Sequence, residues 1–539
     1  MKKLLLILPI LLLLSSCKLK EKVDFIVINA SVYTVNDNFD KVEAFAVKDG
    51  KIFDVGTNIE IQSKYRPTYI NDIRGKTVIP GLIDAHCHFY GLGLQQQRVD
   101  LTGTQSYDEV IERIIKFQKK NKLHFITGRG WDQNDWKIKE YPTKEKLDKA
   151  FPNIPVVLRR IDGHALLANQ AAIDKAGVSA KTPFSGGEIV IKEGKLTGVF
   201  IDNPMELINK TIPKPSRPLQ IQALKDAETL SFAYGLTTVD DAGLSPDIIE
   251  LIDSLQQTGD LKIRIYAMVS VSDKNIKYYT KKGIYKTDRL NVRSFKVYAD
   301  GALGSRGAAL KEQYKDRHDH FDVMVTPSTK LKKYAEIIAA TDFQMNTHAI
   351  GDAANHVILK TYTQVLKGKT NRRWRVEHAQ VIASEDFKYF KNILPSVQPT
   401  HATSDMYWAE DRLGKNRIKG AYAYKKLLDS YGKIALGTDY PIEKVNPMLT
   451  FYAAVARKDT KNYPKDGFQM ENALSREEAL KGMTIWAAYA NFEENEKGSL
   501  EIGKFADFTV LNKDLMLVEE SKIPSIKIEQ TFVNGEKVN

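Results

Sequence analysis

The chain has 539 residues, 43% apolar and 27% charged, which excludes a disordered or fibrous protein and leaves room for more than one buried core. Its formal charge of +12 comes without a dense Arg/Lys stripe interleaved with aromatics, so nucleic acid is not an expected partner. Only Cys17 and Cys87 are present, so no intrachain disulfide framework is expected.

Lys2 and Lys3 precede an apolar run from Leu4 to Leu14, broken only by Pro9 and followed by Ser15-Ser16-Cys17. A permanent membrane helix needs about 20 apolar residues, and this run is shorter. Leu14-Ser15-Ser16-Cys17 resembles a bacterial lipobox, so residues 1–17 read as a lipoprotein signal peptide with Cys17 as the lipidation site. An ordinary signal peptide that contains a Cys is the alternative. The expected location is the cell envelope, facing the periplasm, with the lipid as the only membrane attachment. Lys18 directly after the Cys favours the outer membrane over the inner one.

From Asp24 the pattern is one of short strands: Phe25 to Asn29, Ser31 to Val35, and Glu43 to Lys48, the last turning at Asp49-Gly50 into Lys51 to Gly56. Ala506 to Leu511 and Ile526 to Val533 repeat this texture at the far end. Neither group has the helical periods to form its own layered core, so the two terminal sets, residues 18–77 and 493–539, could pair into one small sheet domain. Between them, residues 78–492 alternate strands with amphipathic helices. The strands are Val78 to His86, Leu236 to Asp240, Ile263 to Val269, Ser294 to Tyr298, Gln344 to His348, Trp374 to His378, Leu394 to Gln398 and Ile434 to Thr438. A distorted (β/α)8 TIM barrel fits this count best, and an open doubly wound sheet is the competitor. The seventh strand is the weakest, because Pro395 suits an edge or a first position. A large insertion, about 89–232, follows the first barrel strand and carries its own strands near Phe125 to Arg129 and Val156 to Arg160. An insertion at a strand's C-terminal end is expected over the barrel mouth, supplying contacts to substrate.

The sharpest local signal is Ile79-Pro80-Gly81-Leu82-Ile83-Asp84-Ala85-His86-Cys87-His88. A period of two puts His86 and His88 on one side of a strand and Cys87 on the other. His-x-His alone is weak. His348, His378 and Asp439 each end another apolar strand, where barrel active sites form, and together they point to a divalent-metal centre. Lys296 lies inside the strand Ser294 to Tyr298, where an ammonium is costly to bury. It either points outward between barrel and helices or reacts with carbon dioxide to become a metal-bridging carbamate. Asp300 and Arg306 follow in a glycine-rich loop. Arg306 reads either as a partner for a substrate carboxylate or as half of an internal salt bridge to Asp300 or Asp352.

Together these stretches, with Gly128-Arg129-Gly130-Trp131-Asp132, Asp162-Gly163-His164, Gly235 to Val239, Phe295 to Arg306, Asn346 to Asp352, Arg375 to Gln380 and Gly437 to Pro441, resemble the amidohydrolase superfamily. The similarity is to its YtcJ-like (amidohydrolase 3) branch, which includes N-substituted formamide deformylase, and it runs from about Asp24 to Val538. The resemblance implies the barrel with a composite sandwich. It also implies His86 and His88 on one metal, His348 and His378 on a second, carboxylated Lys296 between them and Asp439 as the catalytic aspartate. The cofactor implied is zinc, as one or two ions. Trp131, Asp132 and His164 in the insertion, with Asp300 and Arg306, are expected to touch substrate or support the ligands, and a structural role for His164 is equally open.

The activity expected is hydrolysis of an amide-type C–N bond of a small molecule by metal-activated water, with Asp439 carrying the proton. A deaminase or isomerase on the same barrel, and a binding protein without turnover, are the alternatives. His401 lies in a region whose role residue type does not decide, and a homodimer is an open possibility.

Overall fold

The computed structural model describes residues 20–161, 163, 165–184, 188–201, 204–304, 306–321 and 324–539. The leader with Cys17, and Asp162 and His164 in the insertion, lie outside the described residues. No helix among the described residues is long and apolar enough to cross a membrane. The chain divides into two compact units: one comprises the chain up to Phe89 and from Glu228 onward, the other Tyr90–Ala227.

In the first unit, eight parallel strands follow each other around a barrel in chain order: β1 (Leu82–Cys87), β2 (Leu236–Leu244), β3 (Arg264–Ser270), β4 (Leu290–Tyr298), β5 (Gln344–Ala349), β6 (Arg375–His378), β7 (Leu394–Val397) and β8 (Ala435–Leu436). All eight predicted strands are present, and the open doubly wound alternative is overturned. The residues after β8 bring the ends together: Asp439 N donates to His86 O at 2.8 Å and His88 N donates to Tyr440 O at 2.8 Å. Amphipathic helices such as Pro246–Gln257, Ser328–Ala339 and Asp352–Leu366 lie between the strands and bury one face each.

Pro395 is tolerated inside this sheet for a local reason. The ladder between β7 and β8 begins only at Ser396, opposite Ala435, so on that side the proline faces no strand that needs a donor. The predicted first strand is in fact two. Thr77–Pro80 belongs to a different sheet, and β1 starts after Gly81. A Cβ on Gly81 would lie 2.2 Å from Thr237 Oγ1, so only glycine lets the chain pass β2 at this crossing.

The composite sandwich is present. Thr77–Pro80 pairs antiparallel with Phe508–Leu511, Ile79 opposite Thr509, in a six-stranded sheet built from both ends of the chain. A four-stranded sheet orders Lys51–Gly56, Ala44–Lys48, Glu21–Ile28 and Tyr65–Asp72. Phe25, Phe45, Val47, Val78, Phe508 and Phe532 fill one shared core. Sandwich and barrel are joined by a buried ion pair: Arg264 of β3 contacts Asp507 through Nε to Oδ2 at 2.6 Å and Nη2 to Oδ1 at 3.0 Å.

The second unit has its own mixed sheet, with strands in the order Glu188–Lys192, Lys195–Ile201, Ala165–Ala168, Val156–Arg160, Ile126–Trp131 and Val99–Asp100. Val99, Leu101, Ile126, Leu158 and Leu167 pack in one core, and Val157, Leu166, Ile173 and Phe200 in another. Alternation along Val156–Arg160 explains both, since Leu158 enters the first core and Val157 the second.

Candidate metal centre

β1 ends by presenting His86 to the barrel interior. Cys87 faces the other way, buried, its thiol toward Asp240 O at 3.5 Å. His86 is fully buried, and its Nδ1–H donates to Glu377 Oε2 at 2.6 Å, which aims Nε2 at the other strand ends. Glu377 precedes His378 on β6 and sits 3.9 Å from the Arg375 guanidinium, which pairs with Asp240 at 2.8 Å. All three of these charged groups are buried, so a closed ionic layer lies under the site and holds the ring in one orientation.

Asp84, two residues before His86, accepts from Thr438 N at 3.0 Å and from Thr438 Oγ1 at 2.7 Å, and also from His86 N at 3.2 Å. That carboxylate ties β1 to the chain leaving β8 and so fixes Asp439 against the histidine pair. A Cβ on Gly437 would meet His86 N at 2.5 Å, so the close approach depends on glycine. Asp439 and His378 both have left-handed backbones, with φ of 62° and 72°. Such conformations cost about 1–3 kcal/mol each and persist where surroundings over-determine them.

Asp439 stands at the centre. Its Oδ1 is 3.3 Å from His88 Nε2 and 3.8 Å from His86 Nε2, and its Oδ2 is 3.6 Å from His401 Nε2. His378 stacks on His401 with ring centroids 5.8 Å apart, and lies 4.8 Å from His86. Two groups therefore share one carboxylate: His86, His88 and Asp439, and His378, His401 and Asp439, with potential ligand atoms within 4.8 Å of one another in each group. Asp439 Oδ1, His378 Nδ1 and His401 Nε2 are buried with no aligned hydrogen-bond partner. Buried polar atoms are rarely left so, and a divalent cation satisfies all three at once. The donor set fits the metal.

Charge states suit the same role. Burial, with help from Lys296, holds the His86 imidazole well below its ordinary range. Burial, then His348, does the same for His378. Both rings are thus neutral and able to donate a lone pair. Burial acts to raise the Asp439 carboxyl, but other effects, led by the adjoining His88, outweigh it and keep it ionised, well below the usual carboxylate range.

Lys296 points into the site, contrary to the outward alternative: it is 1% exposed, and its Nζ donates to His86 Nε2 at 2.9 Å. Burial brings its amine down to about 8, against the opposing pull of Glu377 and Asp439. His348 stands beside His378, with centroids 4.5 Å apart, but its Nε2 is turned toward Gly301 O at 3.4 Å and Asp300 Oδ1 at 3.6 Å. Burial, then Lys296, lowers it to about 4. His401, which the sequence left without a role, also stands beside His378, on the side facing Asp439. It lies in the helix Pro399–Asp405 after β7, and the rule of ligands at strand ends does not reach one turn into the next helix. Glu377 and Asp84 were also missed; each is an acidic residue inside an otherwise apolar strand, and that is a readable signal.

Of the other predicted residues, Asp300 adjoins His348, whereas Arg306, Trp131 and Asp132 are engaged with other partners. Asp300 accepts backbone N–H bonds from Ala309, Ile350 and Gly351 at 2.8–3.0 Å, so it pins the loop after β4 to the end of β5. Arg306 pairs with Asp316 at 2.8 Å, not with Asp300 or Asp352. Trp131 is 1% exposed in the core of the second unit, its indole N–H donating to Leu158 O at 2.9 Å. Asp132 pairs with Arg160 at 2.5 Å.

Comparison with known proteins agrees with this geometry. Residues 70–539 match the amidohydrolase family model. The chain is 31% identical to YtcJ of Bacillus subtilis (strain 168) over 94% of its length and 98% of the relative's. It is 25% identical to the N-substituted formamide deformylase of Arthrobacter pascens, covering 95% of this chain and 97% of that one. An uncharacterized metal-dependent hydrolase from Pyrococcus horikoshii OT3 superposes with a TM-score of 0.77 at 27% identity, over 92% of this chain and 99% of that structure. With a binuclear donor set at the C-terminal ends of its barrel strands, the chain belongs to the amidohydrolase family and is a metal-dependent hydrolase.

Proposed function

We propose that the protein hydrolyses an amide-type C–N bond of a small molecule, with zinc as the metal, and that His86, His88, His378, His401 and Asp439 would hold one or two ions. One observation carries this reading: Asp439 Oδ1, His378 Nδ1 and His401 Nε2 converge, buried and unsatisfied, beside His86 and His88. A divalent cation held there supplies Lewis acidity to a carbonyl oxygen and makes water acidic enough to ionise near neutral pH.

The chain's own groups do the rest. Asp439, ionised and half-encircled by imidazoles, accepts the proton of the attacking water and returns it to the leaving nitrogen. Glu377 keeps His86 in the tautomer that leaves Nε2 facing the site. Lys296 acts as a carbamate. Its Nζ forms a bond to the carbon of carbon dioxide, one proton leaves, and the product is an anion. Support comes from burial that brings the amine to about 8, so a free lone pair is accessible near neutral pH. An unmodified ammonium beside cations would repel them, and the carbamate inverts that charge.

The substrate class is read from the N-substituted formamide deformylase among the relatives: an N-acyl or N-formyl compound. A screen of formamides, N-acyl amino acids and cyclic amides on purified protein tests this, with activity expected on at least one amide and reduced at least about 100-fold by Asp439→Asn. Activity on none of these, in protein that carries its metal, would overturn the substrate class.

A further inference from the structure

The second unit contains a positively charged cavity that the barrel chemistry does not use. Arg129 on Ile126–Trp131 lies opposite Arg159 on the parallel neighbour Val156–Arg160. Two like charges in register across a sheet destabilise it unless something compensates. Arg98, just before Val99–Asp100, faces the same cavity, which has a volume of about 320 Å³ and is also lined by Thr127 and Asn209. No carboxylate among the described residues lines it or forms an ion pair with these guanidinium groups. Arg98 is exposed at the cavity, and partial desolvation, followed by the charges of Arg159 and Arg129, pulls it below its ordinary range.

A second, mainly apolar cleft of about 140 Å³ adjoins it, sharing Arg98, Thr127 and Ile212; Leu94, Leu123, Phe125, Pro213, Pro215 and Leu219 line it, with Gln97 and Lys214 as its other polar members. Guanidinium forks match tetrahedral oxyanions, and three of them suit a doubly charged one. We propose that the second unit binds an amphipathic phosphate, its head on Arg98, Arg129 and Arg159 and its hydrocarbon part in the adjoining cleft. The same chemistry can come from a soluble alkyl phosphate or from the headgroup of a phospholipid.

The test titrates the full-length protein with hexyl phosphate, inorganic phosphate and hexanol by calorimetry, and sediments it with phosphatidic acid vesicles. Hexyl phosphate is expected to bind at least about tenfold more tightly than either fragment, and Arg129→Gln/Arg159→Gln to weaken it at least about tenfold. Vesicle binding that the double substitution abolishes, without hexyl phosphate binding, assigns the site to a lipid headgroup. Arg98→Gln is the second variant, in case the double one misfolds, and a conserved thermal transition verifies the fold of each. Hexyl phosphate and vesicles binding every folded variant as they bind the parent would overturn the proposal.

Discussion

His86 shows what a single side chain contributes once its neighbours are fixed. Its ring is held by Glu377 on one nitrogen and offers the other to the site, so Glu377 sets metal affinity without touching the metal. Glu377→Gln is expected to lower metal affinity about 10- to 100-fold, measured by competition with a chromogenic chelator. Asp439→Asn removes the proton carrier, and kcat on a working substrate is expected to fall about 10²- to 10⁴-fold. His401→Ala is expected to reduce the metal content from two ions to one, whereas a purely structural His401 would leave it at two. At this scale the sequence was most informative where several residue types converge. His86, His88, His378, Lys296 and Asp439, which the structure brings together, could be picked out only as a set, because a single histidine at a strand end is more often structural and several converging ends are not. His401 was not legible, since its approach depends on the path of a helix after β7. Arg306 was not either, because a long side chain finds its partner, here Asp316, through loop geometry that spacing does not encode.

At the scale of elements, the site depends on how closely β1 and the chain after β8 approach. Asp84 bridges them through Thr438, and Gly437 leaves room for the contact. Gly437→Ala puts a methyl against the His86 backbone and is expected to cost about 1–3 kcal/mol of stability, with loss of bound metal, measured by denaturant unfolding and metal analysis. The eight barrel strands were readable because each is an apolar run bounded by turn signals and separated by a helical pattern. Their ends were less so. Val78 to His86 looks continuous in sequence, yet it crosses from the sandwich into the barrel at Gly81, and hydrophobic pattern does not record a change of sheet. Pro395 argued against an interior strand, but β8 is two residues long and leaves the proline without a partner to disappoint.

For the whole first unit, the C-terminal strands are tied to the barrel by buried contacts. Arg264 and Asp507 form a bidentate pair, and Asn534 N also donates to Asp507 at 2.7 Å. Asp507→Ala strands the guanidinium and is expected to cost about 3–5 kcal/mol in unfolding free energy. The composite sandwich was legible because two terminal strand sets lacked helices to cover them, so each needed the other. The expectation that the insertion supplies substrate contacts rested on its place after the first barrel strand and named Trp131, Asp132 and His164, the last outside the described residues. The first two are engaged inside the second unit, Trp131 in its core and Asp132 with Arg160, because a tryptophan beside apolar strands satisfies packing before any ligand.

The most direct test of the account is metal content measured alongside activity. Purified protein analysed by inductively coupled plasma mass spectrometry should contain about two divalent ions per chain, matching the two donor groups that share Asp439. Chelation should abolish hydrolysis and zinc should restore it. Protein that carries no divalent metal and hydrolyses its substrate equally well after chelation would contradict the account.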